Sequence, residues 1–196
     1  MVNFYNLVKN INSKSKIKKI LIVGKGTSIE KLNSVDFSNY FIINLNDSYK
    51  FFKGDIILIN KKWSLNNIGA KKKNSLVIVD KKISYNKKIS NSYKINFENI
   101  NLLKNSVREI KKFFENKKHF YEPLFLSAIK AAYLVALFKK QKLTVDMIGF
   151  DFHFKSILNY TNPLLHDNES TNIKKIKKEL VEQKKFLKKI ILYKNK

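Results

Sequence analysis

Four short apolar runs, residues 19–23, 40–44, 55–59 and 75–79, decide most of what this chain can fold into. They are rich in β-branched residues and do not alternate with polar ones, so each is predicted to be a strand covered on both faces. Such strands belong to parallel sheets. Polar or glycine residues close every run: Gly24, then Leu45-Asn46-Asp47-Ser48, then Asn60, then Asp80. In open α/β sheets ligands bind at these carboxyl ends. The first run carries the sharpest signal, because Ile20-Leu21-Ile22-Val23 leads straight into Gly24-Lys25-Gly26-Thr27-Ser28 and an incipient helix. A Gly-x-Gly turn between a strand and a helix brings backbone close to an anion and presents free N–H groups to it. Ile29 stands where a dinucleotide fingerprint has its third glycine, and no Gly-Lys-Ser/Thr ending makes a P-loop.

The other elements follow from periodicity. Residues 102–114 place Leu103, Val107, Ile110 and Phe114 at helical spacing. Pro123 opens a helix over 124–140, and Ala131, Ala132, Leu134, Val135 and Leu137 make it apolar nearly all round, which predicts burial. A further buried strand is expected over 143–148, ending in Gly149-Phe150-Asp151-Phe152-His153, and a short one over 93–97. Residues 1–17 read as an amphipathic extension bearing Phe4, Leu7, Val8 and Ile11. After a loop at 154–169, Ser170-Thr171 can cap a last helix with Ile173, Ile176, Leu180, Val181 and Leu187 on one face, and 190–193 reads as a final strand. The order of elements predicts one doubly wound, mostly parallel α/β domain of Rossmann-like form spanning 1–196.

Composition narrows the function. With no cysteine there is neither a disulfide framework nor a thiolate metal site, which fits a cytoplasmic protein. The longest apolar run, 131–138, is too short to span a bilayer, and the N-terminus lacks a signal-peptide core, so the chain is expected to be soluble. A net charge of +25 suggests nucleic acid, yet of the 40 basic residues only Arg108 is an arginine. Base reading and bidentate phosphate contacts favour arginine. Abundant Lys, Asn and Ile are what AT-rich coding produces, so no nucleic-acid partner is expected. Attraction to acidic polymers or to an anionic membrane face stays open.

Among residues able to carry chemistry, His166 lies beside Asp167 in a Pro-containing loop, where an exposed imidazole can take a proton from a hydroxyl near neutral pH. His153 follows a strand end, and His119 reads as plain surface. No histidine pair has metal-ligand spacing, no Asp-x-Asp occurs, and no Gly-x-Ser-x-Gly elbow is present, so no metal site and no simple hydrolase is expected. Asn46-Asp47, after the second strand, could meet a ribose, which keeps an oxidoreductase or a methyltransferase open.

Several segments in this order resemble the bacterial CMP-sialic-acid-dependent sialyltransferases of glycosyltransferase family 42. Gly24-Lys25-Gly26-Thr27-Ser28 is similar to the family's Gly-Asn-Gly-Pro-Ser loop, and Leu45-Asn46-Asp47 to its Cys-Asn-Gln segment. Leu126-Ser127-Ala128 is similar to the Thr-Ser-Gly start of a long helix, and Gly149-Phe150-Asp151-Phe152-His153 to Gly-Ile-Asp-Phe-Tyr. The segment His166 to Lys174 is similar to a His-Ser-x-Asn-Thr-Asp-Ile-Lys loop. The resemblance covers roughly 18–193. It implies a GT-A-like variant of the Rossmann-like fold with a short lid at 154–169, and an inverting, metal-independent transfer of a nonulosonic acid from a CMP-activated donor to a glycan or lipid-linked acceptor. His166 would be the general base, with Tyr160 and His153 in place of the family's two lid tyrosines. Gly24, Lys25, Gly26, Thr27, Ser28, Asn46, Asp47, Ser127, Gly149 and Asp151 would surround the cytidine monophosphate. It further implies a role in lipopolysaccharide or capsule building at the inner membrane face, with a homo-oligomer left open. Lys25 and Leu126 depart from the family pattern. A hydroxymethylpterin-pyrophosphokinase-like enzyme, which shares the Gly-x-Gly-x-Ser opening, and a non-catalytic polyanion binder are the alternatives.

Overall fold

A computed structural model describes residues 17–26, 28–29, 36–66, 68, 75–85, 89, 91–99, 107–115, 120–150 and 181–190. Its strands are β1 (Lys19–Val23), β2 (Tyr40–Leu45), β3 (Ile56–Ile59), β4 (Leu76–Asp80), β5 (Ser92–Ile95), β6 (Phe97–Asn99), β7 (Phe120–Glu122) and β8 (Thr144–Ile148). Its helices are α1 (Lys62–Asn66), α2 (Val107–Glu115), α3 (Leu124–Lys139) and α4, residues 181–190. Six strands join in the order β5-β4-β3-β2-β1-β8, and every adjacent pair is parallel. β6 and β7 form a separate two-stranded parallel ribbon. The molecule is an α/β protein of Rossmann-like form, as the unbroken apolar runs require.

Successive strand residues point to opposite faces, and both faces are covered. Ile20, Ile22, Phe41, Ile43, Ile56, Leu58, Leu76 and Ile78 face α3 in the main core. Their neighbours Leu21, Val23, Ile42, Ile57, Ile59, Val77 and Val79 pack on the other side, with Ile29, Tyr49, Leu65, Ile68 and Ile83. This is why the runs show no alternation. The all-round apolar character of α3 has a similar cause. One side lies on the sheet, and its flanks meet α2, the β6–β7 ribbon and α4. Phe97 stacks on Phe120 at 5.6 Å, and Phe113 meets Tyr121 at 5.2 Å in the aromatic layer of that second side.

Ser127 pins α3 to this layer. Its hydroxyl accepts from the Tyr121 N–H at 2.7 Å and donates to the Tyr121 carbonyl at 2.6 Å, fully buried. Ser127→Ala would strand a buried donor and a buried acceptor on β7. A loss of about 2–3 kcal/mol in stability is expected, read as a lower urea midpoint at unchanged slope.

The structure corrects four expectations. The strand at 143–148 was expected to be buried, yet β8 lies at the sheet edge among the described residues, with Thr144 and Val145 exposed. The sign was Asp146 at its centre, which accepts the Tyr40 hydroxyl at 3.0 Å and lies 3.9 Å from Lys19. The expected strand at 93–97 divides at Asn96. β5 joins the sheet and β6 leaves for the ribbon. Along α4 the buried residues are Phe186 and Ile190, one helical repeat apart, and Leu187 packs beside them as expected, while Val181, expected on the same face, is 52% exposed; Ile173, Ile176 and Leu180 lie outside the described residues. Ile190 itself is helical rather than the start of a strand. The expected extension at 1–17, apart from Ile17, and the lid at 154–169 lie outside the described residues.

Candidate functional site

The strand order reverses at β1. Strands β2 to β5 extend to one side of it in sequence order, and β8 lies on the other. The carboxyl end of β1 is therefore the topological switch point, the place where an open parallel sheet leaves a crevice.

Glycine closes the back of that crevice. Gly24 donates its N–H to the Ile148 carbonyl at 2.8 Å, and Gly26 donates to the Gly149 carbonyl at 2.9 Å. In return the Gly149 N–H donates to Ser28 Oγ at 2.9 Å. A side chain on Gly24 would strike the Gly149 carbonyl oxygen. The Gly-x-Gly turn thus lets two chain segments touch backbone to backbone, and the amides of Gly24 and Gly26 are engaged by the end of β8 and by Gly149 just after it. What the turn offers a ligand is the side chain between the glycines.

That side chain is Lys25. Its ammonium lies 3.4 Å from Asp47 Oδ1 and 4.1 Å from the centre of the Trp63 ring. Asp47, in the 3₁₀ turn 46–50 that follows β2, is fully buried, and its other oxygen lies 3.7 Å from the Lys50 ammonium. A carboxylate taken out of water needs such counter-charge. Two cations share this one.

Hydrogen bonds fix the turn that carries Asp47. Ser48 Oγ donates to the Val23 carbonyl at 2.8 Å and accepts the Leu45 N–H at 2.9 Å, tying the ends of β1 and β2 together. Asn46 takes a left-handed conformation, φ +49°, which asparagine tolerates, and its Oδ1 accepts the Asn60 N–H at 3.1 Å. Tyr49 donates its hydroxyl to the Ser64 carbonyl at 2.8 Å. Burial, and then the Asp47 charge, push the Tyr49 phenol far above its ordinary value.

Beyond β3, three buried polar atoms have no hydrogen-bond partner among the described residues: Asn60 Oδ1, Trp63 Nε1 and Ser64 Oγ. Buried polar groups are normally satisfied, so an acceptor, a donor and a hydroxyl without partners in the segment after β3, the donor on the Trp63 ring that Lys25 overlies, set this strand end apart. Asp80, buried at the end of β4, instead caps its own turn by accepting the Lys82 N–H at 3.1 Å.

Of the residues singled out in the sequence, Gly24, Lys25, Gly26, Ser28, Asn46, Asp47 and Gly149 meet at this edge. Ser127 does not belong with them in its contacts, since its hydroxyl is spent on β7. Thr27, Asp151, His153, Tyr160 and His166, along with His119, lie outside the described residues. Sequence reading missed Lys50, Trp63 and Ser64. The strand-end rule pointed to Asn60, and Trp63, the chain's single tryptophan, stands three residues further on. Among the described residues no helix is long and apolar enough to cross a membrane. Comparisons with protein-family models, with curated proteins and with solved structures found no match.

Proposed function

We propose that this chain is a glycosyltransferase that binds a CMP-activated nonulosonic acid at the carboxyl edge of β1 to β3 and passes the sugar to a glycan or lipid-linked acceptor. The observation that carries the reading is the Lys25–Asp47–Trp63 cluster at the switch point, flanked by the Gly24-to-Gly149 junction. A nucleoside monophosphate needs one cation for its phosphate and polar or aromatic groups for its base and sugar, and this edge supplies both. The phosphate leaves with its charge on a lysine and on hydroxyl donors, as electrostatic stabilisation of a leaving group requires. His166 takes the acceptor proton in this scheme, as the family resemblance implies.

The test is a ligand series on the full chain. CMP is expected to raise the melting temperature measurably at about 100 times its Kd, corresponding to about 2.7 kcal/mol. Cytidine should do less, and ATP with magnesium should do nothing. Turnover of CMP-sialic acid should fall by about 10²–10⁴-fold in His166→Ala, the usual worth of a general base. Stabilisation by ATP and magnesium alone would replace this reading with the pyrophosphokinase-like one.

A further inference from the structure

We infer that Lys25 is an exchangeable anion receptor, and that Lys50 is the reserve counter-ion that lets it leave Asp47. The inference rests on this edge binding an anionic ligand, though not on which nucleotide that ligand is.

Asp47 is the anion at the centre of this exchange. Its side chain is fully buried, and within the described residues neither oxygen receives a hydrogen bond. Its charge is balanced by two ammonium groups at 3.4 and 3.7 Å, one on each oxygen. Were Lys25 its single partner, drawing that lysine to a phosphate would leave a bare carboxylate in a dry site, and the cost would cancel most of the gain. With Lys50 on the second oxygen, Asp47 keeps a counter-charge throughout. The two lysines differ in their restraints. Lys50 sits three residues from Asp47 in the same 3₁₀ turn, an arrangement that keeps it beside the carboxylate. Lys25 extends from the glycine-flanked turn after β1, outside the 3₁₀ turn that carries Asp47, and its side chain is 16% exposed against 30% for Lys50.

Trp63 completes the device. The Lys25 ammonium rests 4.1 Å from the ring centre, an attraction that helps hold the lysine in place whether or not Asp47 is its partner. Trp63 Nε1, on that same ring, has no hydrogen-bond partner among the described residues and is what the rest of the ligand would satisfy. An incoming anion therefore trades places with Asp47 as the partner of Lys25, while Asp47 passes to Lys50.

Titration calorimetry at low salt with CMP, cytidine and inorganic pyrophosphate tests this on the full chain and on Lys25→Met, Lys50→Met and the double variant Lys50→Met with Asp47→Asn. Lys25→Met should weaken CMP by about 10- to 100-fold, the worth of a charge-assisted bond, and bring it level with cytidine. Lys50→Met should weaken CMP and pyrophosphate by about 10-fold, because Asp47 then holds Lys25 fast. Adding Asp47→Asn should restore both, which a merely structural role for Lys50 would not do. The double variant carries no unpaired buried carboxylate, so it also answers the objection that Lys50→Met is misfolded. Unchanged binding in Lys50→Met, or no restoration by Asp47→Asn, overturns the exchange. Pyrophosphate binding that follows this pattern without any preference for CMP supports the exchange and sinks the CMP reading. Tight CMP binding indifferent to Lys50 does the reverse.

Discussion

Gly149→Ala is expected to destabilise the protein by about 3 kcal/mol, as the sum of left-handed strain and overpacking. Gly149 has φ +74°, a region in which an alanine Cβ crowds its own carbonyl. The new methyl would also stand 2.7 Å from the Gly24 carbonyl carbon, 2.9 Å from its oxygen and 3.0 Å from the Lys25 nitrogen. All three are backbone atoms held by the pairing of β1 with β8, so no rotamer change can relieve the contact. The chain must instead push β1 and β8 apart at their carboxyl ends. Two backbone hydrogen bonds cross that junction, from Gly24 to Ile148 and from Gly26 to Gly149, beside the one from Gly149 to Ser28 Oγ, and the backbone pair should lengthen. Because Lys25 sits between those glycines, its reach to Asp47 should suffer with them. A lower urea midpoint together with weaker CMP binding is the expected pair of results. Wild-type stability in Gly149→Ala would mean that the two segments do not touch as described.

That junction also shows what a sequence can and cannot convey. The strands were legible because burial on both faces leaves a run of β-branched residues with no polar interruption, and β1 was placed at its observed bounds. The tight turn at the end of the first strand was legible too, since Gly24 and Gly26 announce it. Their partner was not. Nothing local says that Gly24 faces Gly149 across 125 positions, because the approach is created by β8 lying beside β1. Lys25 had the same fate. As a residue it is one of many lysines, and only the fold brings Asp47 and Trp63 to it. Ser127, which the family resemblance alone singled out, is the opposite case: its hydroxyl bonds to Tyr121 on the β6–β7 ribbon, whose three-residue strands are too short to give a pattern. Lys130 was hidden by the same ribbon, although a lysine in the middle of a helix apolar nearly all round is itself a warning.

Lys130→Met is expected to stabilise the protein, by about 3 kcal/mol at pH 7, the free energy equivalent of the lysine's displaced titration. Lys130 lies on α3, fully buried, and its ammonium has no hydrogen-bond partner among the described residues. It rests 4.6 Å from the centre of the Tyr121 ring and 5.6 Å from that of Phe113, which return part of the desolvation cost. Glu98 on β6 acts in the same favourable direction but does not offset the burial, which pulls the ammonium down from 10.5 to about 8. The direction with pH follows. Below pH 8 the folded and unfolded chains both carry the proton, and the folded chain bears the whole penalty. Between 8 and 10.5 the unfolded chain alone holds it, so stability rises with pH. Near the top of that range Tyr121 begins to oppose the rise, since burial and then Glu98 push its phenol up and the folded chain keeps that proton longer. Methionine fills much the same volume without the charge. Its advantage over wild type should be constant below pH 8 and shrink steadily towards pH 10. In melting temperature it should amount to about 5–10 °C at pH 7 for a chain of this size. An advantage that does not change with pH would assign the gain to packing. A loss of stability in Lys130→Met would mean that the aromatic rings and Glu98 hold the ammonium more tightly than burial disfavours it, making the cation a support of the layer rather than a burden on it.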